Sequence, residues 1–243
     1  METFQAAARI STGVEGLDRM LNGGLIPGRS YLVKGAPGTG KTTLAMHFAM
    51  AGVSNGENVL FVTLEEPLDN LRADMLKLGF NVDDPRLEII DATPASDNYV
   101  LLEDYFESFA KSLERLTDTI KQRMAIKRYS RIVVDPITIL KLASGNEMDY
   151  RKSFLSFVKS MMKMKVTVLL TSELQRTDVE EYIVGGIIEL RNFEIDGFMV
   201  RGIKITKFRG SDFDKALRPY EISDRGIVVY TDKVVNPAKS LPL

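Results

Sequence analysis

The chain has 243 residues, 32 of them Lys or Arg and 33 Asp or Glu, with one histidine and no cysteine. That length holds one large α/β domain with a full core. The missing thiols exclude disulfides, zinc–thiolate sites and thiol catalysis, and a lone histidine argues against a histidine metal cluster.

The balanced charge gives no global case for nucleic acid, which favours a basic excess or stripe, although a local patch stays open. Met1 to Ile10 lacks the apolar core of a signal peptide, and no apolar run reaches roughly 18 residues. The expectation is a cytoplasmic protein with no membrane partner. No Ser/Pro-rich linker divides the sequence, so one domain is expected over 1–235, followed by a loose tail over 236–243.

In chain order, Tyr31 to Lys34 is a short apolar run that stops at Gly35, the pattern of a buried strand entering a loop. Leu44, Phe48 and Ala51 then fall at helical spacing, with Gly52 and Gly56 ending the helix. Asn58 to Leu64 reads as a second buried strand. Leu68 to Gly79 reads as a helix with Leu71, Met75 and Leu78 on one face and Pro67 at its start. Leu87 to Ile90 is a third strand.

Tyr105, Phe109, Leu113, Leu116, Ile120 and Met124 step by three and four, predicting a long amphipathic helix. Arg131 to Val134 is a strand ending at Asp135. Met148 to Lys165 is helical and is followed by the strand Val166 to Thr171. Beyond Glu173 the pattern turns β-like, at Ile187–Leu190, Val200–Phe208, Tyr220–Ile222 and Ile227–Tyr230. Alternating strands and helices predict an α/β fold with a mostly parallel, twisted sheet covered on both faces and an antiparallel C-terminal extension.

The loop from Gly35 to Thr43 carries the clearest chemistry. Gly35-Ala36-Pro37-Gly38-Thr39-Gly40-Lys41-Thr42 fits G-x-x-x-x-G-K-[ST] completely, between a strand and a helix. Glycines let the backbone curl so that its N–H groups face phosphate, and the helix N-terminus adds positive dipole. Lys41 is the candidate for the β- and γ-phosphates of ATP, and Thr42 for Mg²⁺.

Asp135 ends an apolar strand at the sheet's carboxyl edge, where it is the candidate second holder of Mg²⁺; Asp135-Pro136 could equally begin a turn. Glu65 and Glu66 follow their strand in the same way. They could polarise an attacking water as general base, or simply be acids favoured at a helix N-terminus. Lys207 and Arg209, two residues apart on a strand, project from one face, for which a solvated strand face is the plain reading.

Together these segments resemble the single-domain, KaiC-like branch of the RecA/RadA superfamily. Ser11-Thr12-Gly13, Gly16-Leu17-Asp18 and Leu21 to Gly28 are similar to the family's lead-in to its phosphate loop. Val62 to Pro67, Leu78-Gly79-Phe80, Leu87 to Pro94, Lys207 to Ser211, Pro219 to Ser223 and Gly226 to Val229 continue the match, in order, from about Ile10 to Val234.

The resemblance implies a RecA-like P-loop core that assembles as a homo-oligomeric ring, commonly a hexamer, with ATP at subunit interfaces. It implies that Glu65, Glu66 or both activate water, and that Lys207 and Arg209 reach a neighbour's γ-phosphate. The clock protein's phosphorylated Ser-Thr pair falls here on Glu181-Tyr182, so clock-type autophosphorylation is not expected. The short acidic stretch between Glu173 and Ile187 likewise argues against strand exchange on DNA.

The leading functional expectation is an Mg-dependent ATPase whose shape change serves a partner protein that the sequence does not name. Its rivals are a RadA-paralogue repair ATPase on single-stranded DNA and an ATP-gated scaffold with little turnover. His47 reads as a packed helical residue, and Met161, Met162 and Met164 as filler. Lys121, Arg123, Lys127 and Arg128 read as a solvated helix end.

Overall fold

The computed structural model describes residues 8–93, 96, 109–142, 147–173, 178–236 and 240–241. Its centre is a set of apolar strands: β1 (Ser30–Gly35), β2 (Val59–Thr63), β3 (Leu87–Asp91), β4 (Arg131–Asp135) and β5 (Thr167–Ser172). Every residue of β2, β4 and β5 is buried. Continuous burial is what a parallel sheet covered on both faces demands, because neither side is free to carry polar groups.

The strands lie in the order β3-β2-β4-β5-β1 and continue into β6 (Gly186–Ile195), with all these pairings parallel. The chain then doubles back as β7 (Phe198–Phe208), β8 (Arg218–Ser223) and β9 (Gly226–Val229), each antiparallel to its predecessor. The α/β architecture with a parallel core and an antiparallel extension is therefore as the sequence pattern predicts.

Alternation along the strands divides the core in two. Tyr31, Val33, Phe61, Val133 and Leu169 pack with Leu44 and Phe48 of α2 (Lys41–Ser54). Leu32, Leu60, Val62, Ile132 and Val134 pack on the other face, against Leu116 and Ile120 of α4 (Phe109–Ile126) and Phe154 and Phe157 of α6 (Glu147–Lys163). The helix α3 (Leu68–Lys77) buries Leu71 and Met75, while Leu78 is its C-cap.

The structure corrects several expectations. Gly52 does not end α2; the helix runs on to Ser54, and Gly56, at φ 76°, follows its end. Gly52 is a contact point instead, since a Cβ there would stand 2.7 Å from the Arg131 side chain. Arg131, fully buried, needs that space to bridge Glu57 and the Phe48 carbonyl. The helix read as reaching Lys165 stops at Lys163, with Lys165 at φ 58°.

Short helices at α1 (Glu15–Met20), α5 (Thr138–Leu142) and α7 (Asp178–Ile183) carry too few turns for a periodic signal. The tail read as loose is partly ordered: β10 (Ser240–Leu241) pairs antiparallel with Ile195 and Glu194 of β6. Pro94 and Tyr105 lie outside the described residues. Among those described, no helix is long and apolar enough to cross a membrane.

Candidate active site

The parallel strands end their carboxyl edges side by side, and the functional candidates leave from those ends. After β1 the chain turns through Ala36, Pro37, Gly38 and Thr39 into α2. Gly40, the residue before the helix, has φ 85°, and a Cβ on it would fall 2.6 Å from Ile222 Cδ1. Only glycine meets both conditions there.

Thr39 is fully buried and pins the loop: its hydroxyl donates to the Ala36 carbonyl at 2.8 Å, and its own carbonyl accepts from Tyr220 at 2.6 Å. The antiparallel extension thus braces the loop through β8. Thr43 is buried behind it on α2.

Lys41 is buried at the start of α2 and its ammonium donates to the Ala36 carbonyl at 3.1 Å and to Glu173 Oε1 at 3.2 Å. Asp135, at the end of β4, accepts hydrogen bonds from the hydroxyls of Thr171 and Thr42. Burial pushes its carboxyl up; the two hydroxyls and Lys41 pull it back down. A hydroxyl and a carboxylate in contact form the hard-oxygen pair that Mg²⁺ prefers, so the residues present fit that ion.

Glu65 and Glu66 follow β2 on the same edge. Burial raises the Glu65 carboxyl, with Glu173 and Asp135 adding to the rise and Lys41 opposing it. Burial also raises Glu66, with Asp74, Asp135 and Glu65 adding. Neither acid caps α3. The first helical N–H, that of Leu68, donates to Asp91 Oδ2 at 2.8 Å, so the cap hydrogen bond comes from β3, while both acids keep their place beside the helix N-terminus. Lys41, Thr42, Asp135, Glu65 and Glu66 are thus brought to one edge.

Lys207 and Arg209 are not. Lys207 pairs with Ile187, which pairs with Leu32, so it lies level with the early part of β1. Three residues separate that level from Gly35, about 10 Å at strand rise. The two cations do share a face, as i and i+2 require, and both turn to the C-terminal turn of α7. The Lys207 ammonium donates to the Glu181 and Tyr182 carbonyls, and Arg209 to Tyr182 at 2.8 Å. Burial and Arg209 lower the Lys207 pKa to about 8.

The family model described as ATPase: KaiC matches residues 10–234. The chain belongs to the KaiC ATPase family. Among its relatives, a UPF0273 protein of Thermotoga maritima is 30% identical over 91% of this chain and 96% of its own. The circadian clock oscillator protein KaiC of Parasynechococcus marenigrum is 31% identical over 94% of this chain but 46% of its own length. The circadian clock protein KaiC3 of Synechocystis is 28% identical over 91% of this chain and 45% of its own.

Glu173 is the site residue that sequence reading passed over in this KaiC-family chain. Its position just past β5 was the available signal, since β5 pairs directly with β1 and so delivers its next residue beside the loop. The Glu173 N–H donates to Thr138 Oγ1 at 2.9 Å, which steadies the acid from α5. The basic run lies at the surface, as a solvated helix end does, with Lys121 paired to Asp118, Arg123 to Glu88, and Lys127 donating to the Pro85 carbonyl. His47 is packed, edge-on to Phe80 at 4.8 Å between ring centroids.

Proposed function

We propose that this KaiC-family chain is an Mg²⁺-dependent ATP hydrolase that works as a homo-oligomeric ring of hexameric type, in the cytoplasm, and that its nucleotide-driven change of shape serves a partner protein. The observation that carries hydrolysis is the meeting of Lys41, Thr42, Asp135, Glu65 and Glu66 at one sheet edge, with the two glutamates free of capping duty. A single domain over 1–235 performs it.

Residues Gly35 to Thr43 cradle the triphosphate through backbone N–H groups and the start of α2. Lys41 supplies the buried positive charge that faces the β- and γ-phosphates. Thr42 and Asp135 hold the metal, which when bound neutralises phosphate charge. Glu65 or Glu66 accepts the proton of the attacking water; a carboxylate whose basicity is raised by burial is better suited to that than an ordinary one. Lys207 and Arg209 serve a neighbour's γ-phosphate, a reading favoured by their distance along the sheet from their own loop.

Two variants test the reading. Lys41→Ala should abolish ATP binding or weaken it severely, because the phosphates then lose their buried cation. Glu65→Gln with Glu66→Gln should keep ATP bound while cutting hydrolysis by roughly 10²-fold or more, the usual scale for loss of a general base. Wild-type turnover in the double variant, or wild-type affinity in Lys41→Ala, would overturn the assignment.

A further inference from the structure

The short helix α7 is held from its buried side. Glu180, fully buried, accepts hydrogen bonds from the Tyr150 hydroxyl of α6 and from the Lys141 ammonium of α5, the latter at 3.1 Å. Six residues give a helix too few internal bonds to keep its own place, and these contacts supply what it lacks.

The next residue, Glu181, meets two lysines of the sheet. Its carboxylate accepts from Lys34 Nζ at 2.6 Å, and its backbone carbonyl accepts from the Lys207 ammonium. Lys34 immediately precedes Gly35, where the phosphate loop begins, and Glu189 stands 3.9 Å from the same ammonium. Both lysines leave the sheet on the side that α6 covers. Lys34 alternates with Leu32 along β1, Lys207 stands opposite Ile187, and Leu32 and Ile187 share one core cluster.

Placement of Lys207 follows from its donors. An ammonium has three N–H bonds. Among the described residues two acceptors meet it, the carbonyls of Glu181 and Tyr182, the second at 3.2 Å, which leaves one bond for an outside acceptor. Its charge is less secure. Burial and Arg209 hold its pKa down at about 8, against the pull of Glu181. The other charges close by are cations: Arg29 donates to the Arg209 carbonyl at 2.5 Å, and Arg151 of α6 lies 5.0 Å from the centre of the Tyr182 ring. Against these arginines, the Glu181 carboxylate favours the protonated lysine.

We propose that Glu181 is the positioning residue for Lys207: its carbonyl fixes where the ammonium sits, and its carboxylate, held by Lys34, sets a negative charge beside it. A consequence for turnover rests on the reading of Lys207 as a cation lent to a neighbour's phosphate. The hold itself rests on the contacts within this chain. One residue thereby ties the strand that feeds a phosphate loop to the cation that the same subunit would lend away.

The test follows Lys207 by NMR in the full chain labelled with carbon-13 at lysine Cε, its signal assigned by its absence from Lys207→Arg. The expected titration midpoint is about 8 in the wild type. It should fall by roughly half a pH unit or more in Glu181→Gln, which loses the charge, and return toward the wild-type value in Glu181→Asp, which keeps it. Glu181→Ala repeats the measurement should the Gln variant misfold. Turnover is profiled alongside. If Lys207 must be charged to act, hydrolysis declines as pH rises through its midpoint, and Glu181→Gln moves that alkaline limb to lower pH. A merely structural role for Glu181 would reduce stability or assembly and leave the midpoint in place. An unchanged Lys207 midpoint in both Glu181→Gln and Glu181→Ala overturns the proposal. A midpoint that moves while the limb stays sustains the hold of Glu181 and overturns the use of Lys207 in hydrolysis, so the two ideas fail separately.

Discussion

The Lys41 ammonium and the Glu173 carboxylate lie 3.2 Å apart beside the phosphate loop. The cation proposed to face phosphate is thus already partnered by an acid of its own chain. A nucleotide entering the loop competes with that acid and adds its charge to a region shared with Glu65 and Asp135. Glu173→Gln removes one negative charge without changing shape. The expected outcome is nucleotide affinity raised several-fold, read by titration with a fluorescent ATP analogue at fixed salt. Unchanged or weaker affinity would mean that Glu173 holds Lys41 in place rather than competing for it.

The same acid tunes the proposed base. Glu65 is raised by burial first, then by Glu173 and Asp135; Glu66 by burial, then by Asp74, Asp135 and Glu65. A base must be deprotonated to work, so hydrolysis should climb with pH on an acid limb lying above the ordinary glutamate value of about 4.3. Glu173→Gln should move that limb to lower pH, since it deletes the second cause acting on Glu65. A limb that stays put when kcat is profiled in the two proteins would argue against Glu65 as the titrating base.

His47 gives a stability prediction with a defined sign. Burial lowers its pKa from 6.5 to about 4, although the Gly13 carbonyl, which accepts its hydrogen bond, opposes the shift. Its other nitrogen, Nε2, accepts from the Ile227 N–H at 2.8 Å, so the ring ties α2 to both the N-terminal segment and β9. The folded state resists the proton that the unfolded chain takes up. Stability from this group is therefore full above pH 6.5 and lost as pH falls from there toward 4. The slope is at most ~1.4 kcal/mol per pH unit. His47→Gln should flatten it in urea titrations across that window, while lowering stability at neutral pH. An unchanged slope would place the acid sensitivity elsewhere.

What the sequence made legible was what local pattern encodes. The phosphate loop is a contiguous motif, and Asp135 and Glu65 stand at the ends of apolar runs that can only be buried strands. Glu173 stands at such an end too, but its partner is 132 positions away and becomes visible only once β5 is known to neighbour β1. Gly52 misled because glycine near a helix end suggests a stop, whereas its reason is the guanidinium of Arg131 crossing beneath it. The pairing of Ser240 and Leu241 with β6 is set by a strand left open beyond β1, which no local signal announces.

Lys207 and Arg209 give the sharpest prediction, because it ties hydrolysis to assembly. In this chain both donate to carbonyls at the end of α7, at the level of early β1 rather than of the loop that follows Gly35. If each active site is completed by its neighbour, two defective variants should rescue one another. Lys41→Ala spoils its own loop but can lend fingers; Lys207→Ala with Arg209→Ala keeps a sound loop but lends none. A cation supplied in trans can be worth ~10³-fold or more in phosphoryl transfer, since it neutralises charge developing on the transferred group. Each variant alone should be nearly inactive, and mixing followed by subunit exchange should restore a measurable fraction of wild-type turnover. The finger variant alone should still bind ATP. Absence of recovery in rings shown to be mixed, or full turnover by a diluted monomer, would rule out action across the interface.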